Sequence, residues 1–166
     1  MGWVRSNIRQ RLALAASRPI LDAPLKVRTP SDGQPHMLAE KITAALELVD
    51  AYMSFVLRHA SRDIRCILVR PGYPARYWEY TKVVVIDDSL VQTRQASTIA
   101  SIIVHEATHA RYHARGIRWT RADATRIEHR CIGRQVGFVD RLPRSQFPNA
   151  DQFISELREI AKDPWW

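Results

Sequence analysis

The strongest constraint on the fold is a stretch of sequence, residues 93–115, that contains neither glycine nor proline. Its apolar side chains recur mainly at spacings of three and four residues, which is the period of one face of an α-helix. The residues that set this period are Ala96, Ile99, Ile102, Ile103 and Ala110. Gly116 follows directly and is a residue type that commonly ends helices. The pattern therefore predicts a long helix that ends at about Gly116.

The motif H-E-x-x-H lies inside this predicted helix as His105, Glu106 and His109. Residues four positions apart lie on the same face of a helix, so the two imidazoles can bind one metal ion. Glu106 lies beside that position, where a general base that activates water is required. We therefore predict that His105 and His109 are metal ligands and that Glu106 is the catalytic carboxylate.

A second helix is predicted from Thr120 to about residue 142. Thr120 and Asp123 resemble the capping box that begins many helices, with Asp in place of Glu, and Pro143 closes the segment. Because the link between the two predicted helices is short, they should pack against each other in antiparallel directions.

The antiparallel arrangement predicts the third metal ligand. At about 1.5 Å per residue, the first helix descends about 10 Å from His109 to Gly116. The second helix climbs about 12 Å from Thr120 to Glu128. Glu128 is therefore level with His109, and we predict that Glu128 is the third ligand.

Other polar residues in this region fit the third position less well. Asp123 would stop more than a turn short of His109, and His129 points about 100° away from Glu128. His113 lies on nearly the same face as His109, but it is too far along the helix to share a tetrahedral ion with both motif histidines.

The chain has two cysteines, Cys66 and Cys131. Two cysteines do not make a disulfide framework, although a single bridge between them stays open. Cys131 lies three residues after Glu128, and we interpret it as a buried apolar thiol rather than as a fourth ligand.

The arrangement resembles the zincin superfamily of metallopeptidases, and within it the gluzincin branch. In that branch the two histidines of H-E-x-x-H and a glutamate from a following helix bind catalytic zinc. The resemblance covers about residues 80–142. It implies that zinc is bound by His105, His109 and Glu128, and that Glu106 is the general base in the hydrolysis of peptide bonds.

The chain departs from many gluzincins at the residues that should support the site. The position four after Glu128 is Ile132 rather than an acidic residue, and metal-bound imidazoles normally need a hydrogen-bonding partner that orients them. Asp123 and Asp140 are the candidate substitutes. The residue that stabilises the oxyanion stays open among four nominees. They are His129, Tyr112, Tyr77 and Tyr80.

The remaining pattern predicts an α+β fold. A long helix is expected over about residues 36–60, strands over residues 64–69, 77–80 and 82–86, and a last helix over residues 150–162. The resemblance implies a minimal zincin-like domain with a small sheet, mostly antiparallel or mixed, packed on the helix hairpin and the long N-terminal helix. By the same resemblance, strand 82–86 would bind a peptide through its edge. An ordinary buried strand is the equal alternative.

The N-terminal region is predicted to be separate from this domain. Residues 3–17 suit a short basic helix, and residues 18–35 contain four prolines and suit an extended connector. We therefore divide the chain into an N-terminal basic segment with its Pro-rich connector, residues 1–35, and a metallopeptidase domain, residues 36–166.

Composition leaves a second class of function open. The chain of 166 residues has a net charge of +8. Such a charge attracts nucleic acid, although the arginines are scattered and can simply reflect genome composition, which is the interpretation we favour. The alternative function is therefore a basic nucleic-acid-associated protein, either of the SprT type or with a purely structural metal site. In a third interpretation the two motif histidines are simply part of the core.

Membrane association is not expected, because no apolar run reaches the roughly 18 residues that a spanning helix needs. The apolar run at residues 12–16 is also too short for a secretory signal, so we expect a cytoplasmic location. A peptide or protein is the predicted substrate, and the sequence does not identify it further.

Overall fold

The computed structural model describes residues 18–22, 25–29, 35–117 and 120–162. Helices and strands alternate irregularly along these residues, and the α+β fold class is confirmed. The strands are β1 (Arg18–Asp22), β2 (Lys26–Thr29), β3 (Cys66–Val69), β4 (Arg76–Trp78) and β5 (Val83–Ile86). The helices are α1 (Pro35–Asp63), α2 (Asp88–Thr93), α3 (Ala96–Ala114), α4 (Arg121–Val139) and α5 (Ala150–Lys162).

The five described strands form one mixed sheet in the order β1-β2-β3-β5-β4. The three inner strands β2, β3 and β5 run parallel, and the outer strands β1 and β4 pair antiparallel with their neighbours. All four residues of β3 and all four of β5 are buried. Uninterrupted runs of buried apolar residues are typical of parallel strands that are covered on both faces.

The main core lies between one face of the sheet and helices α1 and α3. Ile67 and Val84 are paired on adjacent strands and are fully buried in this core. The two helices contribute buried aliphatic side chains that pack with them, including Ile42, Leu46, Ile99 and Ile103. The apolar period of three and four that predicted both helices is therefore the pattern of their buried faces.

The predicted helices are confirmed with small changes at their ends. The long N-terminal helix extends to Asp63 and is interrupted by a non-helical backbone conformation at Met53, with φ −148° and ψ 51°. The first residues of the predicted helix 93–115 do not belong to α3. Thr93 is instead the last residue of the short helix α2. The side chain of Asp87 caps the start of α2, because it accepts a hydrogen bond from the backbone N–H of Ser89 at 2.9 Å.

The structure decides between the two interpretations of segment 82–86. It is an ordinary buried strand and not an edge strand, because β5 lies between β3 and β4, and β4 occupies the edge instead. The prediction for residues 18–35 is wrong. The region 18–35 is not only an extended connector, because Arg18–Asp22 and Lys26–Thr29 are strands of the same sheet. The boundary predicted at residue 35 therefore falls inside the folded unit. The helix predicted over residues 3–17 lies outside the described residues.

The link between α3 and α4 begins at a cap on the C-terminus of α3 and ends at a cap on the N-terminus of α4. Gly116 has φ +77°. Its N–H donates to the carbonyl of His113 at 2.9 Å, and the N–H of Ile117 donates to the carbonyl of Tyr112 at 3.1 Å. This is the hydrogen-bond pattern of a Schellman cap. The side chain of Thr120 then accepts from the N–H of Asp123, so the predicted N-terminal cap of α4 is confirmed.

Among the described residues, no helix combines the length and the apolar character that crossing a membrane requires.

Replacing Gly116 or Gly133 with alanine should change the free energy of unfolding in opposite directions. Gly116→Ala places a side chain at positive φ and should lower the free energy of unfolding by about 1 kcal/mol. Gly133 lies inside α4, and a methyl group added to it would meet no other atom within 4 Å. Gly133→Ala should therefore raise the free energy of unfolding by about 0.5–1 kcal/mol. Urea denaturation of both variants measures the two changes in the free energy of unfolding. If both changes had the same sign, the assigned role of Gly116 in the C-terminal cap of α3 would be contradicted.

Candidate metal centre

The three predicted ligands converge across the hairpin of α3 and α4. The Nε2 atoms of His105 and His109 lie 3.1 Å apart. Oε2 of Glu128 lies 3.2 Å from Nε2 of His105, and Oε1 lies 3.4 Å from Nε2 of His109. The helical spacing of the histidines and the length of the link between the helices thus bring these donors together as the sequence predicts.

The separations among these donors match those of a tetrahedral metal site. When zinc bonds are about 2.0–2.1 Å long, neighbouring nitrogen or oxygen donors are about 3.3–3.4 Å apart. The three side chains are also largely withdrawn from solvent, with exposed fractions of 14% for His105, 13% for His109 and 7% for Glu128. Two imidazoles and a carboxylate are donors that zinc accepts, so the residues fit this metal.

A buried oxygen of Glu128 supports the same conclusion. Oε2 is buried and has no aligned hydrogen-bond partner among the described residues, although His105 is near. Leaving a carboxylate oxygen buried and unpaired is costly, and a cation between the three donors would satisfy it. The surroundings of Glu128 therefore suit a metal ligand better than a partner in an ordinary hydrogen bond.

Burial and the neighbouring side chains shift the pKa values of Glu128 and His105 in opposite directions. Burial raises the pKa of Glu128, but its contacts with His105 and His109 outweigh burial and hold the pKa at about 2. Burial lowers the pKa of His105, but its contact with Glu128 and the charge of Glu106 outweigh burial and raise it. Glu128 is therefore a carboxylate at neutral pH and offers a negative charge to a metal.

His105 is oriented by a chain of hydrogen bonds from α4 back to α3. Ser101 donates its hydroxyl proton to the carbonyl of Thr98 at 2.8 Å, so Oγ of Ser101 accepts from Nε2 of Gln135, which lies 3.3 Å away. Oε1 of Gln135 therefore faces Nδ1 of His105, at 3.1 Å. Because an amide oxygen only accepts, Nδ1 carries a ring proton, and Nε2 is the nitrogen that could offer a lone pair to a metal.

The orienting role of Gln135 corrects the prediction that Asp123 or Asp140 would have this role. Asp123 instead caps α4 and pairs with Arg126 at 2.8 Å. Asp140 lies at the C-terminal cap of α4, beyond the turns that face the centre. Gln135 follows Glu128 by seven residues, which is two turns on the same face of the helix. That spacing was the signal in the sequence, because an amide oxygen can orient an imidazole as a carboxylate does.

Glu106 is buried beside the three donors and is held by the edge strand of the sheet. Its exposed fraction is 5%, and Oε2 accepts the backbone N–H of Tyr77 at 2.7 Å. Tyr77 pairs with Val84 of β5, and its N–H points away from that neighbour towards α3. The bond thus fixes one oxygen of the predicted general base, while Oε1 accepts no hydrogen bond from the described residues.

The side chain of Tyr77 makes a second contact with α3. Its hydroxyl lies 3.1 Å from Nδ1 of His113, and the two rings are 5.9 Å apart between centroids. Burial, followed by the nearby charges of Glu79 and Asp63, raises the pKa of Tyr77 to about 12. The phenol is therefore protonated at neutral pH and is a hydrogen-bond donor. Tyr77 thus spans two turns of α3, from Glu106 to His113.

The other three nominees for stabilising the oxyanion lie in different surroundings. His129 is exposed and its Nε2 contacts the carbonyl of Ala161 in α5, so it connects two helices. Tyr80 is 59% exposed. Tyr112 is half-buried and lines a small cavity with Arg126 and Ile127. Tyr77 is the nominee that forms a hydrogen bond with Glu106, through its backbone.

Cys131 lies closer to the centre than the sequence predicted. Its thiol is fully buried, as predicted, and it forms no disulfide with Cys66. Its Sγ and a ring nitrogen of each of His105 and His109 all lie within 4.8 Å of one another. Burial, followed by the charges of Glu128 and Glu106, raises the pKa of the Cys131 thiol. A fourth donor is therefore within reach of the three that the sequence predicted.

No family model, curated protein or solved structure matches the chain.

Replacing Gln135 should weaken metal binding without removing a ligand. Gln135→Leu removes the acceptor for Nδ1–H of His105, and we expect the zinc affinity to fall about 10–100-fold. Gln135→Glu keeps that acceptor and should restore most of the affinity. Competition with a chromophoric chelator measures both, and Gln152→Leu, on the exposed side of α5, is the matched control. Equal affinities for Gln135→Leu and Gln152→Leu would contradict the orienting role.

Proposed function

We propose that the protein is a zinc-dependent hydrolase that cleaves peptide bonds. The observation that carries the proposal is the convergence of His105, His109 and Glu128, whose donor atoms lie 3.1–3.4 Å apart next to the buried carboxylate of Glu106. A ligand set of two histidines and one carboxylate is typical of catalytic rather than structural zinc, because it keeps a position open.

The contacts of each residue support its proposed role in the reaction. Zinc, when bound by the three ligands, supplies a Lewis acid that activates water and polarises a carbonyl group. Glu106 takes up the proton of the attacking water and delivers it to the leaving amine. The N–H of Tyr77 holds Oε2 of Glu106 at 2.7 Å, which directs the carboxylate and leaves Oε1 for proton transfer. Gln135 keeps the proton of His105 on Nδ1, away from the ligand nitrogen.

A peptide substrate is supported by the position of β4. This strand is the last of the sheet on the side of α3, and the backbone of Tyr77 reaches Glu106 from it. Extended peptides commonly bind by pairing with the edge of a sheet. Because the outward N–H of Tyr77 is already bonded to Glu106, a peptide at this edge would pair with other backbone groups of β4 and would lie beside the general base. The edge strand that supports this proposal is β4 and not the segment 82–86.

The nucleic-acid alternative depends on the net charge of +8 and on no arrangement of the described side chains. A structural metal site has a more specific observation in its favour, which is the position of Cys131 near the two histidines. A thiolate in the fourth position would close the site. Measurements of metal content and of peptide cleavage separate these alternatives from the hydrolase.

The general base is tested by Glu106→Gln. We expect this variant to keep one zinc per chain and to lose at least about 100-fold of the hydrolytic rate, because the amide cannot accept the proton. The readouts are elemental analysis and cleavage of a fluorogenic peptide library by the zinc-loaded protein. Glu79→Gln, on the loop after β4, is the matched control. Full activity in Glu106→Gln would rule out the mechanism.

The ligand set is tested by His109→Ala and Glu128→Ala. Each removes a donor from a site with three, so both variants should lose zinc or bind it much more weakly than the wild type. His129→Ala is the control, since His129 neighbours Glu128 in sequence but contacts α5. Elemental analysis after dialysis against zinc measures the outcome. A wild-type protein that binds no zinc after reconstitution would overturn the proposed function.

A further inference from the structure

The thiol of Cys131 is the buried nucleophilic group that the proposed mechanism does not use. It is fully buried, and it lies within 4.8 Å of a ring nitrogen of both His105 and His109. Cys131 follows Glu128 by three residues, so the two side chains project from the same face of α4 towards α3. The donors near the centre are thus two nitrogens, a carboxylate and a sulfur.

We propose that Cys131 is a fourth metal ligand, which closes the coordination of the ion and keeps the hydrolase in a latent state. The inference rests on the proposed function, since it concerns the same metal centre. It adds a state in which the position needed by water is filled by the protein itself. The thiol loses its proton to solvent when the sulfur binds the ion. Activation then requires that the sulfur take up a proton and leave the ion while His105, His109 and Glu128 stay bound.

The separations bring the Cys131 sulfur within reach of the same ion. The three nitrogen and oxygen donors already lie 3.1–3.4 Å apart, as in a bound tetrahedral site. A sulfur in the same tetrahedron, with a zinc–sulfur bond of about 2.3 Å, would lie about 3.6 Å from each nitrogen. Sγ of Cys131 and one ring nitrogen of each histidine lie within 4.8 Å of one another, so at most a small shift of the side chain brings the sulfur to bonding distance. Rotation about its Cα–Cβ bond is the movement that we propose for its release.

A second observation at the same place points to a cation. Oε2 of Glu128 is buried and has no aligned hydrogen-bond partner among the described residues. The side chain of Glu128 is 7% exposed. The thiol therefore lies beside a carboxylate and two imidazoles that already favour a bound ion. Cys66 offers a contrast, because it is equally buried but packs in a separate apolar cluster with Leu68 and Val83.

A sulfur ligand has consequences that can be measured without any substrate. It favours soft or borderline ions such as cadmium, cobalt and zinc over magnesium and manganese. It also introduces a sulfur-to-cobalt charge-transfer band in the near ultraviolet when Co²⁺ replaces zinc. X-ray absorption of the zinc-loaded protein reports the bond directly, because zinc–sulfur bonds of about 2.3 Å are longer than zinc–nitrogen and zinc–oxygen bonds of about 2.0–2.2 Å.

The experiment compares the wild-type chain with Cys131→Ser and with its control Cys66→Ser, each loaded with Co²⁺ or zinc. We expect the charge-transfer band and the sulfur shell in the wild type and in Cys66→Ser, and neither in Cys131→Ser. The Cys131→Ser variant should still bind one ion per chain, with an affinity lower by about 10-fold or more. It should cleave the peptide library faster than the wild type. Cys131→Ala repeats the comparison without a hydroxyl.

The outcomes separate this inference from the proposed function. An ion bound to the wild type without a sulfur signal would overturn the fourth ligand and leave the three-ligand hydrolase intact. A sulfur signal that persists in Cys131→Ser would also overturn it. If the sulfur signal is lost in Cys131→Ser but neither protein hydrolyses peptides, the ligand assignment stands and the hydrolase fails. A wild type that binds no ion would reject both.

Discussion

The structure depends on the meeting of one carboxylate and two imidazoles in the groove between α3 and α4. Taking charged and polar groups out of water is unfavourable unless they satisfy one another or bind an ion. Glu128 meets both histidines at 3.2–3.4 Å, and one of its oxygens still lacks an aligned hydrogen bond from the described residues. The contacts depend on the register of the two helices, since sliding either helix by one residue would displace the donors by about 1.5 Å.

The sheet supports this centre through α3. The helix packs its apolar side, with Ile99 and Ile103, on the same core as the buried strands, and its opposite side carries the histidines. The edge strand β4 adds a direct bond from the backbone of Tyr77 to Glu106. The proposed general base is thereby positioned by the sheet, whereas the proposed ligands are positioned by the helix hairpin. A rigid packed scaffold of this kind is what precise placement of reacting groups requires.

The number of donors determines what the centre can do. Three donors leave a position for water and suit hydrolysis, whereas a fourth from the protein suits a closed site. Glu128 and Cys131 project from the same face of α4, so one helix carries both the proposed third ligand of the open site and the proposed fourth ligand that would close it. The proposed chemistry and the proposed latency therefore differ by the position of one side chain.

The sequence determined the features that depend on short-range periodicity. A helix places residues three and four apart on one face whatever surrounds it, so the pairing of His105 with His109 and the buried faces of α1 and α3 followed from spacing. The position of Glu128 opposite the two histidines could also be predicted, because a short link and a fixed rise per residue leave little freedom in the register of a helix hairpin. The tertiary structure alone decided the features that join distant segments. These are the inner position of β5, the pairing of strands β1 and β2 with the rest of the sheet, the hydrogen bond from the backbone of Tyr77 to Glu106, and the proximity of the Cys131 thiol to the two histidines. The periodicity of apolar residues indicates which face of a helix or strand is buried, but the element that packs on that face depends on the packing of the whole chain.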